Sequence, residues 1–418
     1  MSDAAPPNAA PPQPTPRLAL AFILFTVTLD AIGIGLIFPV MPDLLEQITG
    51  GTLASAALWG GVLSTSFAVM QFLFGPIVGS LSDRYGRRPV LLVSLAIMVI
   101  DYIALAVAPT IWLLLIARIV AGIAAATYST ATAFIADITP AEDRARRFGL
   151  IGACFGVGFV LGPLIGGLLS GIDTRAPFYA AAALAGGNLI FGVLVLPETV
   201  TDATRRPFSL WRANPLGALR AVGRLPGLKR PLICFLVLGI AMNVYPAIWA
   251  YYGQARFDWS TRMIGISLAV YGMSFALGQA LLVGPLIRRF GEHRAAHYGM
   301  WVDFSTLAAL GLVTSGPLAL MITPLTALGG VVTPALQSIL SRAAPANAQG
   351  ELQGVLASLN ALAMITSPLL MTATFSAFTA PDAPVYSPGA PFLLAAGLMV
   401  ICVILHVGGP RAAPGDTV

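Results

Sequence analysis

Asp30, Asp101, Asp303 and Arg118 stand inside long apolar runs of this 418-residue chain. Asp30 lies about 12 residues into its run, about 18 Å at the helical rise of 1.5 Å per residue, past the middle of a bilayer. A charge placed there costs at least about 2.5–3.5 kcal/mol. Each of the four must therefore face a wet cavity, pair with an opposite charge, or take up a proton. Three acids against one base leave a surplus of carboxylate, and a surplus carboxylate in a cavity can bind a cation or exchange a proton. The competing reading is a structural ion pair, Asp101 with Arg118 on adjacent helices. Gln71 and Gln279 are neutral amides at similar depth. They could orient a polar ligand by hydrogen bonds, or tie one helix to another. Trp249, Tyr251 and Phe275 could line an aromatic wall or simply pack.

The elements that position these groups must tolerate hydrocarbon. Hydrophobic residues make up 57% of the chain and charged residues 10%, against about 25% charged in an ordinary soluble domain. Mean hydropathy is +0.84. So little polar surface excludes a soluble enzyme and a disordered chain. Cys154, Cys234 and Cys402 are widely spaced within apolar runs and read as small core residues, not as a disulfide framework or a zinc site. Twelve runs reach the roughly 20 residues a span needs: 18–40, 58–80, 89–108, 111–136, 147–170, 177–197, 231–252, 262–287, 294–315, 317–341, 352–376 and 390–408. They are continuous, without the alternation of a barrel strand, so helices are expected.

Residues 1–17, rich in Ala and Pro, are expected to form a disordered tail, and no signal peptide pattern precedes the first run. With the N-terminus inside, the basic residues gather on one face of the membrane, and only Arg175, Arg256 and Arg262 fall on the other. That asymmetry follows the positive-inside rule. It accounts for the net charge of +5 and removes the case for a nucleic-acid partner. The expected architecture is an all-α polytopic membrane protein of twelve transmembrane helices in two pseudo-symmetric six-helix bundles, 18–197 and 231–408. A cytoplasmic linker, 198–230, joins them through an amphipathic segment around Leu210–Val222, and 409–418 forms a second cytoplasmic tail. A shift of 205 residues superimposes Gly79, Leu81 and Gly86 on Gly284, Leu286 and Gly291, Pro140 and Gly149 on Pro345 and Gly354, and Pro163 on Pro368. Two related bundles with a cavity between them suit alternating access.

Gly79-Ser80-Leu81-Ser82-Asp83-Arg84-Tyr85-Gly86-Arg87-Arg88-Pro89, between the second and third runs, combines turn-permitting glycines with an acid among arginines. Asp83 with Arg84, Arg87 and Arg88 suits a conformational latch. This segment resembles the signature cytoplasmic loop of the major facilitator superfamily. Its second-half copy, from Gly284, has Arg288 in place of the acid, so only the first copy is expected to carry the latch. Arg118 resembles that family's fourth-helix arginine, associated there with proton transfer. Gly158, Gly162, Pro163, Gly166 and Gly167 resemble the fifth-helix motif of its drug–proton antiporters. Glycines at four-residue spacing leave a smooth face for close packing, and Pro163 bends the helix.

Thr28-Leu29-Asp30-Ala31-Ile32-Gly33-Ile34-Gly35, Asp101-Tyr102 and Pro334-Ala335-Leu336-Gln337 are similar to the tetracycline efflux proteins. The resemblance implies export of a tetracycline–divalent-metal monocation in exchange for a proton. Asp30, Asp101 and Asp303 would be the intramembrane acids, and Gln71 and Gln279 the substrate-side residues. Phe275 stands at that family's eighth-helix histidine, so coupling is expected to run on carboxylates, Asp303 first. The same resemblance implies no enzyme activity, no resident cofactor or metal, a proton gradient as the energy source, and a place in the bacterial inner membrane with both termini cytoplasmic. The expected partners are a small-molecule substrate, protons and the lipid bilayer. The competing reading keeps the fold but makes the chain an importer, facilitator or exporter of another metabolite.

Overall fold

The computed structural model describes residues 16–407 except 126, 202–204, 206–207 and 209–226. The amphipathic segment and most of both expected tails lie outside the described residues. Among the described residues every regular element is helical. The first half contains α1 (Pro16–Ile37), α2 (Met41–Thr49), α3 (Leu53–Tyr85), α4 (Arg87–Val107), α5 (Ile111–Ala124), α6 (Thr127–Ile138), α7 (Arg144–Leu169) and α8 (Ala176–Val195). The second contains α9 (Lys229–Met242), α10 (Val244–Phe257), α11 (Thr261–Leu281), α12 (Val283–Phe290), α13 (Glu292–Leu312), α14 (Gly316–Ile322), α15 (Thr326–Gly329), α16 (Val332–Ala343), α17 (Gln349–Thr379) and α18 (Ala390–Val407).

Among the described residues eleven helical stretches are long and apolar enough to cross a membrane. The twelfth crossing is α13, whose 21 residues include Glu292, His293, Arg294, His297 and Asp303 and are correspondingly less apolar. Three crossings are assembled from pieces: α5 with α6, α9 with α10, and α14 through α16. The chain departs from the expected run boundaries at two informative places. The first crossing stops at Ile37, because Pro39 disfavours helix at the residue before it, and a separate helix, α2, opens with Pro42 in its first turn and ends on left-handed Gly50. The segment from Gly79 to Tyr85 is the end of α3, not a loop. The turn is reduced to Gly86, whose φ of 113° only glycine adopts easily.

Within the first half α1 lies along α7 and α8, while α4 packs on α5 and α8. Within the second, α13 and α9 flank α18. The halves meet along two lines, α3 with α17 and α7 with α11. Glycine sets the closeness of helices both within the first half and between the halves. A Cβ at Gly162 would stand 2.5 Å from the Ile32 carbonyl oxygen, and one at Gly166 2.5 Å from that of Leu36. Gly158 abuts Thr28 in the same way. The four-residue spacing on α7 is thus matched by Thr28, Ile32 and Leu36 on α1. Gly167 turns to the other half, where a Cβ would lie 3.0 Å from the Thr261 carbonyl.

The same faces lose their neighbours toward the arginine-rich end. Gly61 and Thr65 of α3 touch α17, where the Thr65 hydroxyl donates to the Ile365 carbonyl at 3.0 Å. Further along α3, Gly75 and Gly79 have nothing within 4 Å of a built Cβ. On α7, Gly167 meets α11, while Gly149, Gly152 and Gly156 face open space. The halves are therefore closed at one end and parted at the other, which is one of the two states alternating access requires. Gly162→Ala should destabilise the folded protein by about 1–3 kcal/mol through overpacking, whereas Gly156→Ala should leave it unchanged. Thermal melting of the two detergent-purified variants beside the wild type measures the difference.

Candidate functional site

The four membrane-embedded charges divide into a pair and two separate acids. Arg118, on α5, donates through Nε to Asp101 Oδ1 at 3.2 Å and pairs through a terminal nitrogen with Oδ2. Its guanidinium also lies over the Phe67 ring, 5.6 Å from the centroid. A fork-to-fork arrangement of this kind is the strongest geometry available to an arginine and a carboxylate. Asp30 is half-buried on α1, with Tyr102 of α4 within reach of its field. Asp303 is on α13 in the other half, buried to 1% exposure, and neither carboxylate oxygen has a hydrogen-bond partner. Glycine makes room for it, since a Cβ at Gly329 would collide with the carboxylate.

Gln71 and Gln279 tie helices together. Gln71 donates to the carbonyl of Ala125 at 3.3 Å, and Gln279 to that of Gly330 at 2.9 Å. Both carbonyls are freed by breaks in a crossing: Ala125 lies between α5 and α6, Gly330 between α15 and α16. Ala125 and Gly330 are also 205 residues apart. Interrupted helices are tolerated at membrane depth only where something satisfies the released backbone. Phe275 is 38% exposed and stacks on Tyr271, with centroids 6.2 Å apart, beside Gln279 and Gly330. Trp249 and Tyr251 are buried; Trp249 donates to Ser267 at 2.8 Å within the second half, while the Tyr251 ring reaches across to Gly60 of α3 in the first.

The motif at the arginine-rich end holds together elements of the first half. Arg87 pairs with Asp83 at 2.5 Å and with Asp137 of α6 at 3.2 Å. Arg88 donates to the Val193 carbonyl at 2.8 Å, while Arg84 lies over Tyr85. Glu198, which the motif does not include, accepts from the backbone N–H groups of Arg87 and Arg88 at 2.9 and 3.2 Å. It caps α4, where a carboxylate is favoured by the helix dipole. The second half has its own clamp: Glu292 accepts from Ser338 at 2.6 Å and pairs with Arg342 at 3.0 Å.

At the closed end Asp43 of α2 bridges the halves. Its carboxylate accepts from Gln254 at 2.7 Å and from the Thr261 hydroxyl at 2.5 Å. Burial, with Asp43 beside it, pushes the Glu46 carboxyl above its usual range. Neither Asp43 nor Glu198 stands out in the sequence, because their partners come from distant segments. Among the described residues no group of three or more His, Cys, Asp or Glu side chains is arranged to hold a metal ion.

A two-half bundle that parts at one end, with acids held at membrane depth, is the architecture of a secondary transporter. The chain belongs to the Major Facilitator Superfamily, whose family model matches residues 23–368. It is 46% identical over 385 residues to the tetracycline resistance protein, class C, of Escherichia coli, covering 92% of this chain and 95% of that one. It is 42% identical to the class G protein of Vibrio anguillarum, covering 86% and 91%. Among solved structures it shares its fold with a nucleoside transporter, at a TM-score of 0.75 and 15% identity, covering 94% of this chain and 98% of that one. The protein is a multi-pass membrane transporter of small molecules and not an enzyme.

Removing one member of a buried pair strands the other, at about 3–5 kcal/mol. Asp101→Asn should therefore lower thermal stability by that order. Exchanging the two charges, Asp101→Arg with Arg118→Asp, should recover part of it, as a double-mutant comparison of melting curves would report.

Proposed function

We propose that the protein exports a cationic, amphipathic drug, a tetracycline–divalent-metal complex among its cargoes, in exchange for protons. The observation that carries this reading is Asp303, a buried carboxyl with no protein partner for either oxygen. An isolated charge of this kind is not tolerated in a low-dielectric interior, so it is a place where a proton or a cationic cargo must enter and leave. Asp30 is the second such acid, half-buried in the other half, while Asp101 is neutralised by Arg118. If proton and cargo compete for these carboxylates and each favours a different state of the two bundles, obligatory exchange follows. The likeness to the tetracycline resistance proteins supports the cargo class. The divalent cation travels as part of the cargo, and the proton gradient supplies the energy without a resident cofactor.

The arginine-rich end faces the cytoplasm and both termini lie there, in the bacterial inner membrane, by the positive-inside rule. The described state is then open inward and closed outward, with Asp43 at the outer seam. Phe275 is the observation that favours a second reading, in which the same machinery carries a different compound. Expression in a drug-sensitive bacterium should raise tolerance to tetracycline, and a pH gradient should drive its uptake into inverted vesicles. Asp303→Asn should reduce that uptake at least tenfold. Uptake at the wild-type rate would defeat the carboxylate-coupling mechanism, and tolerance unchanged for tetracycline but raised for another cationic drug would select the second reading. With Cys154, Cys234 and Cys402 replaced by serine, Asp43→Cys with Thr261→Cys should cross-link under oxidation and stop transport, and a reductant should restore it.

A further inference from the structure

Helices α7 and α11, which meet along one line between the halves, each carry two stacked aromatic rings one turn apart. Phe155 and Phe159 of α7 have centroids 6.3 Å apart and planes 17° from parallel. Tyr271 and Phe275 of α11 repeat the arrangement at 6.2 Å and 19°. The helices run antiparallel, with Gly265 against Pro163 and Gly167, and Gly272 against Val160. At about 3.6 residues per turn, Phe155 and Phe159 emerge between the α11 contact and the face of Gly158 and Gly162 that meets α1. Tyr271 and Phe275 emerge between the α7 contact and Gly278, which meets Ala327 of α15. Val157 and Leu161 on α7, and Met273 and Leu277 on α11, take the opposite sides and are exposed. In an antiparallel pair residues displaced in the same rotational sense from the contact emerge on the same side of it. Both stacks therefore face the interior, beside one seam.

Their depth is where the halves part. Val160 still touches α11 at Gly272, whereas Gly156, one turn nearer the arginine-rich end, has nothing within 4 Å of a built Cβ. Phe155 and Phe159 bracket that position on α7, and Phe275 lies one turn past Gly272 on α11. Neighbouring rings brace the first stack edge-on, Tyr128 against Phe155 at 5.8 Å and Phe38 against Phe159 at 6.1 Å. Phe275 rests on Gly330, where a Cβ would stand 3.2 Å from its ring, and the residue before it, Gly329, is the one that abuts the Asp303 carboxylate. An aromatic face attracts a positive charge, and an unpaired acid one glycine away adds to that attraction. We propose that the two stacks are the jaws of a clamp for a planar, fused-ring cation, its rings held between Phe159 and Phe275 and its charge turned toward Asp303. The inference rests on the cargo being cationic. It adds flat aromatic rings as the chemical feature recognised, and it gives Phe275 a task of its own. Each jaw belongs to a different half, so a bound ring responds directly to how far the halves have parted.

The test is a fluorescence-anisotropy titration of ethidium, a planar fused-ring cation, with the full-length protein in detergent. Phe159→Leu and Phe275→Leu keep an apolar side chain and remove the ring. Each should weaken ethidium binding about five- to tenfold, while Phe159→Tyr and Phe275→Tyr should retain it. Asp303→Asn, measured at alkaline pH where the acid is charged, should weaken it by about tenfold or more. Phe290→Leu is the control, since that ring packs on Tyr298 at the arginine-rich end, and it should leave the affinity in place. Absence of ethidium binding to the wild type, wild-type affinity in either leucine variant, or equal loss in leucine and tyrosine variants overturns the clamp. Wild-type affinity in Asp303→Asn overturns the cationic class. Binding is read without a gradient, so a protein that holds ethidium through both rings but exchanges no drug for protons would refute the function above and leave the clamp standing.

Discussion

In hydrocarbon no water waits to satisfy a polar group, so every carbonyl, amide and charge within the bilayer needs a partner inside the protein. That constraint organises this molecule. The breaks at Ala125 and Gly330 release backbone carbonyls, and Gln71 and Gln279 answer them. Arg118 would be ruinous alone and is held by Asp101. Between helices, where lipid removes most of the hydrophobic driving force, close van der Waals approach must supply the adhesion. Gly158, Gly162 and Gly166 permit it against α1. Asp303 is conspicuous because the rule is left unmet there.

The internal repeat extends from punctuation to detailed geometry. Helices α4 and α13 begin and end at positions 205 residues apart, and Gly86 and Gly291 precede them with positive φ. Pro140 and Pro345 introduce matching short 3₁₀ turns. The clamps at the arginine-rich end also correspond, with their charges exchanged: Arg87 with Asp137 becomes Glu292 with Arg342. Loss of the acid at Arg288 thus did not leave the second half without a clamp. The bond between the start of α13 and the end of α16 was kept, with opposite polarity. A bundle that rocks as a rigid body needs such bonds between its own helices as much as it needs glycine seams at the interface.

The sequence makes the crossings legible because runs of about 20 apolar residues have few alternatives. It also makes the buried charges legible, because a charged residue in such a run is rare. It conceals whatever depends on partners far along the chain. Asp101 and Arg118 could each have stood alone, and only the meeting of α4 with α5 shows them paired. Glu198 reads as an ordinary loop acid until it is seen capping α4 more than 100 residues upstream. Asp43 bridges to Gln254 and Thr261 across the two halves. The break at Ala125 falls in a run of alanines, among the best helix formers, so tertiary packing overrides local preference there. Phe275 was visible as a departure, but Tyr271, one turn away on the same stack, was not.

Similarity between the halves makes their difference in charge meaningful. The second-half counterparts of Asp101 and Arg118 are Thr306 and Thr323, whose hydroxyls bond their own helices. The first-half counterpart of Asp303 is Met98. One bundle therefore carries its deep charges mostly as a closed pair that can stay fixed through a cycle, while the other carries a single acid that cannot remain charged without help. A symmetric scaffold with symmetric charges would give proton and cargo equivalent claims on both bundles. The bonds across the closed seam are as unequal as the deep charges: one carboxylate, Asp43 of the first half, accepts from two neutral donors of the second, Gln254 and Thr261. Bonds of a neutral donor to a carboxylate at an exposed edge can be exchanged for water at little cost, so this seam can part without stranding a charge.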